Sequence, residues 1–305
     1  MELALSTSWN AWHHKSFEKT LFEIKEAGFD NIELGFNLTQ AMVNSAQRLS
    51  KQGAVKIVSI HNYCPIPAGL PRKKALPDCF SMASCDEKQR SLAVKYTKKT
   101  IDTASRLSAR AVVLHCGRVE IRDYTRKLIG LSLRLPETKK EASRVTSSFF
   151  AQRAAQIKIQ LSSAFRSLNE IVPYARKQNI RLGIETRFYY REIPAFQEIG
   201  MILDEFRGGN VFYWHDTGHA HIAEGLGLTH QKSFLEAYHK KMLGMHLHDV
   251  MDGRDHIAPT FGAIDFSYIK KYLNTDIILV IEAHSPATIH ELKTSKRRLE
   301  KLFFK

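Results

Sequence analysis

Six successive apolar segments of this chain end on a side chain that can hold a divalent metal ion. They read Ser59-Ile60-His61, Val113-Leu114-His115, Gly183-Ile184-Glu185, Tyr213-Trp214-His215-Asp216, Gly244-Met245-His246 and Val280-Ile281-Glu282. One polar residue at a strand end means little, since loops are polar. Six strand ends converging on one bowl would crowd imidazoles and carboxylates at a cost of several kcal/mol for each uncompensated charge, on the order of the penalty for burying an unpaired ion. A divalent cation removes that penalty, so the pattern points to a metal centre.

Each residue also has a plainer reading. His61 and His115 could be hydrogen-bonded core histidines, and Asp216 with His219 forms an Asp-x-x-His turn that could simply cap a helix. Glu185 and Glu282 follow apolar runs, where a buried carboxylate rarely serves structure alone. Of His246 and His248, only one is expected to reach the metal. His246 is the choice, with His248 or Asp249 orienting the ligands from behind. His215 and His221 fall out of phase with Asp216 and His219, while His13, His14, His230 and His239 flank helices and should be solvated.

The elements that must carry these residues alternate along the chain. Short β-branched runs are expected as strands at Glu2–Ser6, Asn31–Gly35, Val55–His61, Ala111–His115, Arg181–Glu185, Val211–His215, Met242–Leu247 and Ile277–Glu282. Amphipathic stretches between them are expected as helices at Phe17–Ala27, Glu87–Leu107, Gln152–Lys177, Pro194–Phe206, Gln231–Lys240, Phe266–Leu273 and Ala287–Phe304. Eight strands alternating with helices close a (β/α)8 barrel, a single α/β domain over residues 1–305. Pro65–Ser84 and the basic segment Val119–Ser148 read as long loops after the third and fourth strands. Both would lie on the face where barrel enzymes place their active sites.

At 305 residues and 44% hydrophobic content the chain suits one such barrel. No apolar run reaches the roughly 18 residues of a membrane span. The start, Met1-Glu2-Leu3-Ala4, lacks the basic and apolar regions of a signal peptide, so a cytoplasmic protein is expected. Cys64, Cys79, Cys85 and Cys116 form no Cys-x-x-Cys pair and read as free thiols, with thiolate ligation by Cys64 or Cys116 as the alternative. The formal net charge of +14 favours phosphorylated or polyanionic partners, nucleic acid among them, unless it is only a lysine-rich surface. Part of the excess is local, with ten Lys/Arg against four Asp/Glu from Arg118 to Lys158.

The succession IELG, SIHNYCP, VLHCG, GIETR, WHDTGHAH, GMHLHD, RDHIAPTFGAIDF and VIEAH resembles the xylose isomerase-like barrel superfamily. That group holds sugar-phosphate isomerases and epimerases together with the endonuclease IV family. The resemblance implies one metal held by Glu185, Asp216, His246 and Glu282. The endonuclease IV-like pattern adds His61 and His115 for a second metal sharing Glu185, and His219 and His256 for a third. The acid expected two residues before His256 is Arg254 here, with Asp255 adjacent instead.

Two reactions then compete. In a sugar isomerase or epimerase, one Mn²⁺, Mg²⁺ or Co²⁺ would acidify a C–H next to a carbonyl, and Glu185 and Glu282 would move the proton. His219 and Asp255 would contact substrate, Arg187 would bind a phosphate or carboxylate, and Phe188, Tyr189 and Tyr190 could wall the site. In an abasic-site endonuclease, two or three Zn²⁺ would activate water against a phosphodiester. The departures weigh against the nuclease: His248-Asp249-Val250-Met251 replaces an Asn-Asp-Ser/Ala-Lys run, Tyr63-Cys64-Pro65 replaces a Tyr-Leu-Ile-Asn-type wedge, and Gly218 stands where that family usually has cysteine. A third reading is an inactive barrel kept as a binding module. An oligomer is compatible with all three.

Overall fold

The computed structural model describes residues 2–305. Eight parallel strands close a barrel: β1 (Leu3–Ser6), β2 (Asn31–Leu34), β3 (Lys56–His61), β4 (Ala111–Leu114), β5 (Arg181–Glu185), β6 (Val211–Asp216), β7 (Met242–Leu247) and β10 (Ile278–Ile281). They are hydrogen-bonded in the cyclic order β1-β10-β7-β6-β5-β4-β3-β2, so no sheet edge is left open. The two remaining strands, β8 (Asp249–Met251) and β9 (Arg254–Ile257), form an antiparallel hairpin outside the barrel. The expected (β/α)8 architecture is what the chain adopts.

The helices are α1 (Phe17–Glu26), α2 (Gln40–Lys51), α3 (Glu87–Arg106), α4 (Thr125–Ser132), α5 (Lys139–Lys177), α6 (Phe196–Glu205), α7 (Thr217–Gly225), α8 (Gln231–Tyr238) and α9 (Ile289–Phe304). Side-chain caps fix several starts. Thr39 accepts from the Met42 N–H at 3.3 Å, Asp86 from the Lys88 N–H at 2.8 Å, and Thr288 and Glu291 form a reciprocal capping box. No helix among the described residues is long and apolar enough to cross a membrane.

Three local expectations are corrected. Val119–Ser148 is a long insertion but not a loop, for it carries α4 and the first turns of a 39-residue α5. Leu128, Ile129 and Leu131 bury one face of α4, a periodicity hidden by the surrounding basic residues. Phe266–Tyr272 winds as 3₁₀ turns. Helix α2 and the β8–β9 hairpin lie outside the expected elements, since each is short and polar outside a few apolar positions, whereas α7 begins at the cap that Asp216 and His219 suggest.

Two apolar layers hold the fold. The larger lies between strands and helices. The smaller fills the barrel axis with Ala4, Val58, Ala111, Val113, Trp214, Leu243, Ile278 and Val280. Trp214 is the plug, fully buried, and it explains two glycines. A Cβ on Gly244 would lie 2.3 Å from its ring and one on Gly183 2.9 Å, so only glycine leaves space for the indole. The ring of His246 sits 5.1 Å above the indole centroid, so the apolar floor ends where the polar bowl begins.

Candidate metal centre

Glu185 ends β5, Asp216 ends β6, His246 lies on β7 and Glu282 follows β10, four neighbouring strand ends. Register sets Asp216 beside His246 and Val280 beside His246. All four side chains are buried, and one ligand atom from each lies within 4.8 Å of every other. His246 Nδ1 is 2.7 Å from Glu185, 3.0 Å from Glu282 and 3.8 Å from Asp216. A bare imidazole lone pair cannot face three carboxylates at such distances; a proton or a cation must stand between them. Burial works against charging His246, but Glu282 and Glu33 outweigh it and raise its pKa well above the ordinary range. Burial likewise opposes ionising Glu185, but Arg187 and His115 hold its carboxyl well below the usual carboxylate range. Three carboxylates and one imidazole nitrogen, buried and convergent, fit a divalent cation.

Two further groups adjoin this one. In the first, His61, His115 and Glu185 come together, with His115 Nε2 2.6 Å and His61 Nε2 3.8 Å from Glu185. Both rings are turned from behind. His61 Nδ1 meets the Asn62 carbonyl at 3.0 Å and His115 Nδ1 meets Asp78 at 3.1 Å, so both Nε2 atoms face Glu185. Burial and Arg187 disfavour charge on His115, yet Asp78 and Glu185 lift it to about 9.

The second group brings His219, His248 and His256 together. His219 Nδ1 meets the Thr186 carbonyl at 2.9 Å, and burial pushes its pKa down to about 3 against the pull of Asp216. His248 accepts the His256 N–H on Nδ1 at 2.9 Å and donates through Nε2 to Asp216 at 2.8 Å. With both nitrogens engaged, His248 orients Asp216 from behind. Gly218 makes room for it, since a Cβ there would lie 2.0 Å from the His248 ring. Asp216 also caps α7, accepting the His219 N–H at 2.7 Å, so the Asp-x-x-His turn both caps a helix and faces the bowl. Asp255 sits 3.2 Å from His256 Nδ1, and the ring of His284 stacks on His256 at 3.9 Å.

The residues singled out in the sequence for metal or substrate come together in this bowl, except Tyr190, which lines a neighbouring cavity with Arg153 and Glu198. Arg187, Asp255, His219, His256, Glu185 and Glu282 line one cavity of about 510 Å³ together with Phe188 and Tyr189. Arg187 is buried and already committed, with Nε and Nη2 on Glu192 at 3.1 and 3.2 Å and Nη1 on Glu185 at 2.8 Å. No group of potential ligands among the described residues includes a cysteine. His215 points outward as phase required and bonds the Tyr213 hydroxyl at 2.7 Å.

Sequence reasoning missed Glu33, Asp78, Glu192 and His284. Glu33 is fully buried on β2, bonded to Ser6, Ser59 and His246. Its signal was available, as a lone acid between Ile32 and Leu34 in an apolar strand. Asp78 had none, because it reaches His115 only through the path of the loop after β3.

Comparison with known proteins agrees with this architecture. No curated protein matches the sequence. Among solved structures, the chain is similar to a D-tagatose 3-epimerase-like protein, at 20% identity over 99% of this chain and 97% of that one with a TM-score of 0.63. It is also similar to the 3-keto-D-glucoside 4-epimerase of E. coli, at 14% identity over 99% of both chains with a TM-score of 0.68. A D-psicose 3-epimerase with D-tagatose from Clostridium cellulolyticum gives 12% identity, 99% of both chains and a TM-score of 0.68. These likenesses concern the fold. Residues 21–302 match the family model described as xylose isomerase-like TIM barrel, and the chain belongs to that family.

Proposed function

We propose that this protein is a divalent-metal-dependent isomerase or epimerase of a small sugar, with Glu185 and Glu282 as its proton-transferring pair. The observation that carries the reading is the convergence of Glu185, Asp216 and Glu282 on Nδ1 of His246 beneath a cavity of small-ligand size. Glu185, Asp216, His246 and Glu282 would hold the metal. Bound there, it would polarise a substrate carbonyl and its neighbouring hydroxyl, making the C–H between them acidic.

The chain's own residues supply the rest. Arg187 and His115 keep Glu185 ionised, able to take the proton from carbon, while Glu282 enters from a different strand end and returns a proton to that carbon. Transfer between two carboxylates on different sides of the substrate changes the configuration at that carbon. Phe188 and Tyr189 line the cavity beside His219 and limit access of water. That solved epimerases share the fold is consistent with this chemistry. The test is deuterium wash-in. A panel of pentuloses and hexuloses, with their phosphates and with uronates, is incubated in D₂O with protein supplied with Mn²⁺, Mg²⁺ or Co²⁺, and NMR follows exchange at the carbon next to the carbonyl. Exchange with an epimeric product is expected; its absence across the panel would overturn the reading.

A second reading rests on the His61–His115–Glu185 group and on His219 and His256 beside Asp216, which offer nitrogen-rich sites suited to zinc. With two or three Zn²⁺ the same bowl would suit phosphodiester hydrolysis, as at an abasic site in DNA, and the net charge of +14 would favour that partner. Metal analysis separates the two, one exchangeable ion favouring the epimerase and two or three zinc ions per chain the hydrolase. Incision of a duplex carrying one abasic site is the direct check.

A further inference from the structure

The cavity above the metal centre is lined by four arginines, and they are not paired alike. Arg187 is saturated by Glu192 and Glu185. The other three, Arg118, Arg126 and Arg191, are held loosely. Arg126 lies over the rings of Phe188 and Tyr189, 5.5 and 5.3 Å from their centroids. It donates to the Tyr189 hydroxyl at 2.9 Å and touches Asp255 only at 3.4 Å. Of five guanidinium N–H groups, these contacts engage two. Arg118 donates to the Asp78 carbonyl at 3.3 Å, and among the described residues no carboxylate lies within 4.0 Å of it. Arg191 has Asp123 3.4 Å from Nε, in a geometry that makes no hydrogen bond, and that buried Nε has no other partner.

Bidentate pairing is therefore available in this protein and is used elsewhere. Arg153 meets Glu198 at 2.6 and 2.8 Å. The three rim arginines lack it, and Arg126 and Arg191 stay 52% and 31% exposed, open to an incoming anion. Their backbones are fixed to one another. Arg118 and Glu192 form a bridge, and the Val119 N–H bonds the Arg191 carbonyl at 2.6 Å. Arg126 arrives on α4, from the basic insertion. A planar cation stacked on aromatic rings, with its free edge over the cavity, is a ready receptor for a two-oxygen anionic group.

We propose that the substrate carries a phosphate or carboxylate, and that Arg126, Arg118 and Arg191 receive it while the reacting carbon sits over Glu185 and Glu282. This deepens the reading of the site as sugar-acting and rests on it. It also leaves Arg187 to hold Glu185 in place. The inference concerns a small anionic sugar and not a polymer, because the arginines line the same cavity of small-ligand size as the metal-binding groups.

The experiment measures binding without turnover. Isothermal titration of the metal-supplied protein compares D-fructose 6-phosphate with D-fructose, and D-glucuronate with D-glucose, so that contributions common to each pair cancel. At least one anionic member should bind ten-fold or more tighter than its neutral partner, and the pair that shows it tells phosphate from carboxylate. Arg126→Gln and Arg118→Gln should each cut that ratio below about three-fold, while Lys271→Gln, remote from the cavity, leaves it unchanged. Equal binding of charged and neutral sugars overturns the proposal, as does a ratio that survives both arginine variants. An abasic-site duplex that displaces the sugar phosphate at far lower concentration overturns it in favour of a nucleic-acid surface. If discrimination is found but no sugar exchanges deuterium, the epimerase reading alone fails. If neutral sugars exchange and discrimination is absent, this inference alone fails.

Discussion

Nε2 of His246 lies 3.2 Å from both carboxylate oxygens of Glu33, a fully buried acid on the opposite side of the ring from Glu185 and Glu282. The contact fixes the tautomer. With the ring proton on Nε2, the Nδ1 lone pair is aimed at the candidate metal position, and Ser6 and Ser59 hold Glu33 in turn at 3.2 and 2.8 Å. Loss of such an outer carboxylate typically weakens metal binding about 10–100-fold. Glu33→Ala should therefore lower Mn²⁺ affinity by that order in a competition titration, with Glu33→Gln less affected because its carbonyl can still accept. Wild-type affinity in Glu33→Ala would remove Glu33 from the centre.

Glu185→Gln and Glu282→Gln test the proton relay. Each removes a proton acceptor while keeping size and shape, so turnover should fall by at least about 10³-fold, somewhat over 4 kcal/mol of barrier. The circular dichroism spectrum should not change, because Glu192 still pairs with Arg187 when Glu185 is neutralised. The two losses should also be non-additive in the double variant, since both residues serve one transfer. Full turnover in either single variant would show that the two-carboxylate scheme is wrong.

The architecture and the converging candidate residues were legible in the sequence because a parallel barrel places every strand end on one face. A residue's rank in its strand is then enough to put it in the bowl. Alternation separated His215 from Asp216 for the same reason, but it could not separate His246 from His248, which stand two residues apart and both face the bowl, with His248 behind Asp216. Residues acting from behind were not legible. Asp78 depends on a loop with no regular structure beyond one short 3₁₀ turn, and Arg126 on a helix inside a segment whose charge masks its apolar face. His256 reaches the site from a hairpin, at a φ of +58° that few non-glycine residues adopt. Its neighbour Arg254 is exposed on the same hairpin, and Asp255 touches His256 from behind, where an acid two residues earlier was expected to reach the metal.

Arg153 links the long insertion to the site. It forms the bidentate pair with Glu198 and also donates to the Glu192 carbonyl at 3.1 Å, next to the pair that fixes Arg187. Breaking a buried ion pair by removing one partner costs about 3–5 kcal/mol, whereas replacing both by apolar groups is close to neutral. Arg153→Met and Glu198→Leu should each lower the melting temperature by several degrees, and the double variant should recover most of that loss. Equal melting of the wild type and both single variants would show that the pair contributes nothing.

Cys64 and Cys116 give the fold an alkaline limit. Burial raises both thiols, Cys116 to about 12 and Cys64 further. In the unfolded chain each ionises near its ordinary value of about 8.5. Above that pH the unfolded state has released protons that the folded state keeps, so stability falls as pH rises, by up to about 1.4 kcal/mol per pH unit for each thiol. Below about pH 8 both states hold the protons and the effect vanishes. The raised imidazoles of His115 and His246 already make stability fall from about pH 6.5 upward, so the thiol contribution is read as the difference in urea midpoint between the wild type and Cys64→Ala. That difference should be constant from pH 7 to 8 and shift in favour of Cys64→Ala from pH 8.5 to 10, so that the variant has the shallower slope, whatever its effect on stability at pH 7. At pH 8, a thiol reagent should modify exposed Cys85 in the folded protein and reach Cys64 and Cys116 only on unfolding. Rapid labelling of all four cysteines in the native state, or an unchanged slope in Cys64→Ala, would contradict the buried-thiol account.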